Sequence, residues 1–375
     1  MLFADVIGHQ STKDFLLQAV RQNRLGHALL FQAPEGAGGL PMALAFAQYV
    51  VCTDKKDHDA CGECGACKRA AQFIHPDIHY SYPVIPRNSG EKPLSTDYIK
   101  EWREFISQRP YGNSFDWLQF INAENKQGNI PASECRDILR KFNLKSYESE
   151  YKILILWYPE FLSKEGNILL KMIEEPPPQT LFIFVAENTE LVLPTILSRT
   201  QLVKINPLTA KELKDTLIQR ASADEKNATR IAGLAEGNYR EALHLLQHDV
   251  SDFLEVLKNW LNAIILNKPV QLQNWIDDMA KTGREKQKQF LRYFMMLIEH
   301  TIRMQYMNPE QLQFPDEEQK FAKSLYKMAD YLQMEQIIPE LEDACYHIER
   351  NANGKILFHA LSIKLQRVFA KQPAI

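Results

Sequence analysis

The chain has 375 residues, 45% of them apolar and 24% charged, an ordinary globular balance with room for two or three domains. Its 44 basic residues are offset by 47 acidic ones, and the sequence pI is near 6.4, so no global field favours nucleic acid or a membrane surface. The opening residues Met1 to Gln10 lack a basic stretch followed by an apolar one, and no run approaches about 18 apolar residues, which points to a soluble, cytoplasmic chain.

In chain order, residues 12–23 place Phe15, Leu16, Ala19 and Val20 on one face of a helix. An apolar strand at 28–31 then runs into the Gly-rich turn Ala33-Pro-Glu-Gly-Ala-Gly-Gly-Leu-Pro41, and a helix follows over Met42–Val51. That is the setting of a phosphate-binding loop, where turn amides and a helix N-terminus face an anion. A working loop also needs a Lys for the β- and γ-phosphates and a hydroxyl for Mg²⁺. Aligned on Gly36 and Gly38, those positions hold Gly39 and Leu40. Leucine cannot ligate a metal, so little or no ATP turnover is expected.

Four of the six cysteines, Cys52, Cys61, Cys64 and Cys67, follow with spacing C-x8-C-x2-C-x2-C. Two overlapping CxxC turns surround one centre, and Cys52 completes a tetrahedron of sulfurs that suits a closed, structural Zn²⁺ site. Buried free thiols or a redox pair are the competing readings. His58 and His75 are nearby rivals as ligands, while Cys135 and Cys345 read as ordinary core residues.

Residues from about 80 to 128 are irregular, with one helical stretch at 95–107, yet rich in Trp, Tyr and Phe; they read as an ordered insertion with a local core. A helix near 133–142 precedes a buried strand at 152–156. Next come a helix at 164–173 that stops before Pro176-Pro-Pro178, a strand at 181–186, a short helical piece and a strand at 202–205. The alternation predicts an α/β sheet covered on both faces. Helices at 209–221, 226–235 and 237–246 form a small all-α unit. From about 251 the spacing is helical throughout, with turns near 268–269, 308–309, 314–315 and 353–354: a bundle of about five helices. Its basic segment, Gly283 to Arg292, reads as a solvated helix face.

Four stretches, in this order, carry a resemblance: Phe3-Ala-Asp-Val-Ile-Gly-His-Gln10 with Gly26-His-Ala-Leu-Leu-Phe31; Asn167-Ile-Leu-Leu-Lys-Met-Ile-Glu-Glu-Pro-Pro177; Leu193-Pro-Thr-Ile-Leu-Ser-Arg-Thr200; and Gly237-Asn-Tyr-Arg-Glu-Ala-Leu243. Together they resemble the clamp-loader branch of the AAA+ family, over about 1–80 and 129–248. The resemblance implies a AAA+ α/β domain over 1–207 with the zinc module at 52–67, a helical lid over 208–248, and a helical collar for oligomerisation over 249–375. It also implies that the acidic pair closing the strand before the central helix is lost, since Trp157-Tyr-Pro-Glu160 stands there. Ser198-Arg199 matches the arginine-finger segment, Arg240 the sensor-2 arginine and Asn188 the sensor-1 position. A chain that keeps Arg199 and lacks its own loop would serve ATP on a neighbouring subunit, with Arg240 structural or interfacial. Partners would be the gamma/tau motor subunits and delta, with the sliding clamp and primed DNA reached through the assembly. Two other readings stay open: an active motor ATPase of the same fold, and a zinc-dependent nucleic-acid adaptor.

Overall fold

A computed structural model describes residues 1–87, 90, 92–123, 126–247, 251–304, 316–350 and 352–370. The chain divides into two compact units: Met1–Ser222 with Ala235–Leu243, and Ala223–Leu234 with His244–Ile375.

The first unit is built on a parallel five-stranded sheet. Its strands are β1 (Ala28–Gln32), β2 (Ile78–Ser81), β3 (Lys152–Trp157), β4 (Thr180–Ala186) and β5 (Gln201–Lys204), in the order β2-β3-β4-β1-β5. Strands β3 and β4 are buried along their whole length, as continuous apolar runs require at the centre of such a sheet. Side chains alternate between the faces. Phe31, Ile153, Ile155, Ile183 and Val185 join one core with α1 (Gln10–Arg21) and α2 (Gly39–Val51). Leu30, Leu154, Leu156, Phe182 and Phe184 join a second core with α6 (Ala132–Phe142) and α7 (Leu170–Glu174). The parallel α/β sheet covered on both faces, expected from the sequence, is therefore present.

Several elements differ from the sequence reading. The edge strand β2 was not foreseen: at four residues with His79 inside it, its pattern is too short to stand out, and pairing to β3 creates it. Within 164–173 only Leu170–Glu174 is α-helical, and Lys164–Leu169 forms a tighter 3-10 helix. The insertion adds α4 (Ile99–Gln108) and α5 (Ser114–Phe120), with α3 (Gly65–Ala71) in the cysteine loop before them. Its aromatics do form a local core. Trp102 stacks on Tyr82 at 4.0 Å and packs against Trp117 at 5.3 Å and Trp157 at 5.1 Å. Both Trp102 and Trp117 are fully buried. Short helices α8 (Pro194–Leu197), α9 (Ala210–Ala221) and the beginning of α11 (Tyr239–Gln247) complete this unit.

The second unit contains α10 (Glu225–Leu234) and, among the described residues, six further helices rather than about five: α12 (Ser251–Ile265), α13 (Pro269–Lys281), α14 (Arg284–Arg303), α15 (Asp316–Met328), α16 (Tyr331–Glu349) and α17 (Gly354–Ala370). The turns at Thr282-Gly283 and Ala329-Asp330 interrupt what read as continuous helix. The turns expected at 308–309 and 314–315 lie outside the described residues. Trp260 anchors the unit, stacking on Trp275 at 4.8 Å and donating its indole N–H to Ser362 Oγ at 2.9 Å. The segment 283–292 is not a solvated face: Gln287, Lys288 and Gln289 are buried, and the Gln287 amide donates to the Met279 and Thr282 carbonyls. Among the described residues, no helix is long and apolar enough to cross a membrane.

Candidate functional site

The Gly-rich turn leaves β1 and enters α2 with Gly36 and Gly38 at φ +68° and +102°, conformations that favour glycine. Gly39, at the position of the missing Lys, is closed in as well. A β-carbon there would lie 2.6 Å from that of Ala33, so a Lys side chain has no room to start. Leu40 is buried. His9 pins the turn, its Nε2–H donating to the Ala37 carbonyl at 2.7 Å.

The insertion fills the space in front of this turn. Tyr111 lies with its ring 3.0 Å from where a Gly38 β-carbon would be, and its hydroxyl accepts the Ile7 backbone N–H at 2.9 Å. The ring meets Tyr239 edge-on at 5.0 Å. Between the turn, Pro110–Gly112, Trp157–Tyr158 and Val185–Glu187, only about 30 Å³ remains for the centres of water-sized molecules. That holds a water or two, since each needs about 10–15 Å³ on this measure.

Arg240, in the first turn of α11, is buried. Its Nε and Nη2 donate to the two oxygens of Asp116 at 2.5 and 2.7 Å, and Nη1 donates to Glu35 at 2.9 Å. Asp116 is itself fixed by a capping box: Asn113 accepts its N–H, and the Asp116 carboxylate accepts the Asn113 N–H. Asn238, two residues earlier, lies against Gly36, and the Tyr239 N–H donates to the Gly36 carbonyl at 3.1 Å.

At the end of β3, Trp157 and Tyr158 replace the expected acid. Tyr158 adopts φ +60°, accepts the Ser114 N–H at 3.1 Å and donates its hydroxyl to Glu187. Glu160, the surviving acid, turns away from the loop and accepts the N–H groups of Glu187 and Asn188 at 2.6 and 2.9 Å. Asn188 caps the short turn after β4, accepting the Glu190 N–H. Burial, and then the charge of Glu35, push the Glu187 carboxyl up to about 8.

Arg199 follows α8 on the surface. Its guanidinium donates to Glu174 (Nε at 2.5 Å), to the Thr195 carbonyl at 2.9 Å and to Ser198 Oγ at 3.0 Å. Thr195 also donates to Asn167 at 3.0 Å, so the two quoted segments that contain these residues are tied together in space.

The four clustered cysteines are free thiols whose sulfurs all lie within 4.8 Å of one another. Cys52 to Cys61 is 3.6 Å and Cys61 to Cys67 is 3.9 Å. A tetrahedron with metal–sulfur bonds of about 2.3 Å has edges of about 3.8 Å, so the cluster fits a metal ion. Backbone N–H groups of Cys61, Cys64 and Cys67 point at the sulfurs of Cys52, Cys61 and Cys64 at 3.3–3.4 Å, orienting them. His58 is exposed, and His75 is occupied by Glu148 and the Asp77 N–H. Cys135 is buried, whereas Cys345 is only partly so.

Of the residues expected from the sequence, Gly36, Gly38, Gly39 and Leu40 lie in the turn into α2, Ser198 and Arg199 on the surface after α8, and the four cysteines in one cluster. Glu35, Tyr111, Asp116 and Glu187 were not foreseen as members of one site. The Asn113-x-x-Asp116 capping spacing was the available signal, and it announces a helix start rather than a partner for Arg240.

The family model described as DNA polymerase III, delta subunit, matches residues 8–118 and 113–209, more than half of the chain. The chain belongs to this family. It is a delta'-like clamp-loader subunit within the delta' and gamma/tau group. The Bacillus subtilis DNA polymerase III subunit delta' is 24% identical over 359 residues, covering 94% of each chain. The B. subtilis subunit tau is 26% identical over 290 residues, 76% of this chain but only 44% of tau. The Escherichia coli subunit delta' is 24% identical over 236 residues, 62% of this chain and 58% of that protein. A gamma subunit-related structure from Thermotoga maritima aligns with 94% of the chain at TM-score 0.40 and 15% identity.

The elevated Glu187 carboxyl sets a pH dependence. Between its ordinary value of 4.5 and about 8, the native state holds a proton that the unfolded chain has lost, so stability falls as pH rises. Urea unfolding between about pH 5 and 8 should show wild type losing stability with rising pH relative to Glu187→Gln. Equal slopes in the two proteins would contradict it.

Proposed function

We propose that the chain is the non-hydrolysing delta' position of a bacterial DNA polymerase III clamp loader, offering Arg199 in trans to ATP held by an adjacent motor subunit. One contrast carries this reading: the guanidinium of Arg199 is fixed at the surface, while the chain's own loop has Gly39 and Leu40 in place of Lys and hydroxyl and is filled by Tyr111. The AAA+ domain spans 1–207, with a helical lid over 208–248 and a collar over 249–375 that joins the other subunits. The motor neighbours are of the gamma/tau kind and delta completes the ring, which opens the sliding clamp and places it on primed DNA in the cytoplasm. Glu174 and Ser198 hold the finger until a phosphate oxygen of the neighbour's nucleotide replaces Glu174.

An arginine finger is worth about 10³–10⁵ in rate at the site it serves. Arg199→Ala in the reconstituted clamp loader, with clamp and primed DNA, should therefore silence that site and sharply reduce total ATP turnover. Unchanged turnover in a fully assembled complex would sink the assignment.

The metal at Cys52, Cys61, Cys64 and Cys67 is Zn²⁺ in this reading: four sulfurs leave no open position, so its contribution is to folding. Asp59, inside the cysteine loop, accepts the N–H groups of Phe3 and Ala4 at 3.0 and 2.9 Å. Chelation should therefore increase amide exchange in residues 2–7 as well as in 52–67. Protein purified without zinc, or exchange unaltered in both segments, would contradict the site.

A further inference from the structure

The insertion does more than lie over a disused loop. Arg240 is buried beside the Gly-rich turn, with Tyr239 bonded to the Gly36 carbonyl and Asn238 against Gly36. A buried guanidinium needs an anion, and its planar fork suits carboxylate and phosphate oxygens alike. Here the anion comes from the chain itself. Asp116 takes both arms of the fork, Glu35 takes the third N–H, and Tyr111 closes the turn in front.

We propose that the segment Pro110–Asp116 is a built-in occupant of the nucleotide cradle, with the Asp116 carboxylate standing in for a phosphate on Arg240 and the Tyr111 ring excluding an outside ligand. The segment holds the start of α11 on the Gly-rich turn in one arrangement, whatever the nucleotide concentration. The chain thus carries the anion for Arg240 as part of itself. The inference concerns the chain's own cradle and stands apart from the role of Arg199 towards a neighbour.

The support for Asp116 is deliberate. Its capping box with Asn113 sets the start of α5, and the next residue, Trp117, is fully buried against Trp102 and Phe105. The carboxylate is thus delivered by a helix whose position is fixed by its own core, so little ordering remains to be done when the pair forms.

The test is anion complementation on the full chain, read by melting temperature and by amide exchange across residues 235–243, with inorganic pyrophosphate as the probe and chloride at equal ionic strength as the control. Wild type should not respond to pyrophosphate. Asp116→Asn, which keeps the shape and removes the charge, should melt lower and exchange about tenfold or more faster in that segment. Millimolar pyrophosphate should restore much of the loss, by occupying Arg240, once Tyr111→Ala is added to open the cradle. In the double variant Asp116→Asn with Arg240→Gln, much of the stability should return without pyrophosphate, and with Tyr111→Ala added the response to pyrophosphate should vanish. Stabilisation of the wild type by pyrophosphate would overturn the proposal, as would an Asp116→Asn variant that behaves like wild type. So would a loss in the Asp116→Asn, Tyr111→Ala protein that pyrophosphate does not repair. If Asp116→Asn does not fold, the double variant decides: a folded protein supports the pairing, and failure of both shows that Asp116 answers something other than Arg240.

Discussion

The architecture of the first unit turns on one buried charge. Removing one partner from a buried ion pair typically costs about 3–5 kcal/mol, because the other is left without solvent or counter-charge. Arg240 must therefore be matched wherever it is buried, and this chain matches it with Asp116 on two of its nitrogens and Glu35 on the third. That pairing fixes several neighbours in turn. Asp116 has to arrive from a helix with a defined start, so Asn113 caps α5. The helix needs a seat, which Trp117, Trp102 and Phe105 make against Trp157. Trp157, at the end of β3, thus supplies the apolar platform on which the insertion docks.

The same logic links the cysteine loop to the phosphate-loop region. Asp59 holds the backbone of Phe3 and Ala4, and three residues after Ala4 the Ile7 N–H donates to the Tyr111 hydroxyl. The cysteine loop, the N-terminal segment and the aromatic plug therefore form a continuous set of contacts. Residues far apart in sequence are made mutually dependent by a few hydrogen bonds to backbone N–H groups that would otherwise lack partners.

What could be read from the sequence was local. Gly39 and Leu40 stand two and three residues after Gly-Ala, and the cysteines lie within 16 positions, so short-range spacing exposed both the defective loop and the metal cluster. Strands β1, β3 and β4 were legible because buried parallel strands are continuous apolar runs. The partner of Arg240 was not legible, since it lies 124 residues away and is one of many acids in the chain. Strand β2 owes its existence to pairing with β3, and the burial of Gln287, Lys288 and Gln289 comes from packing that charge pattern conceals. The fold's outline follows from periodicity; the cradle is assembled by contacts between residues far apart in the chain.

The most direct measurement of the central claim is calorimetric titration of MgATP into the isolated, zinc-loaded chain, followed by an assay for phosphate release. The account predicts no saturable binding and no turnover, because Gly39 has no room for a Lys, Leu40 offers no metal ligand and Asp116 already holds Arg240. Saturable binding accompanied by hydrolysis would contradict it, and would mean that the insertion withdraws from the loop.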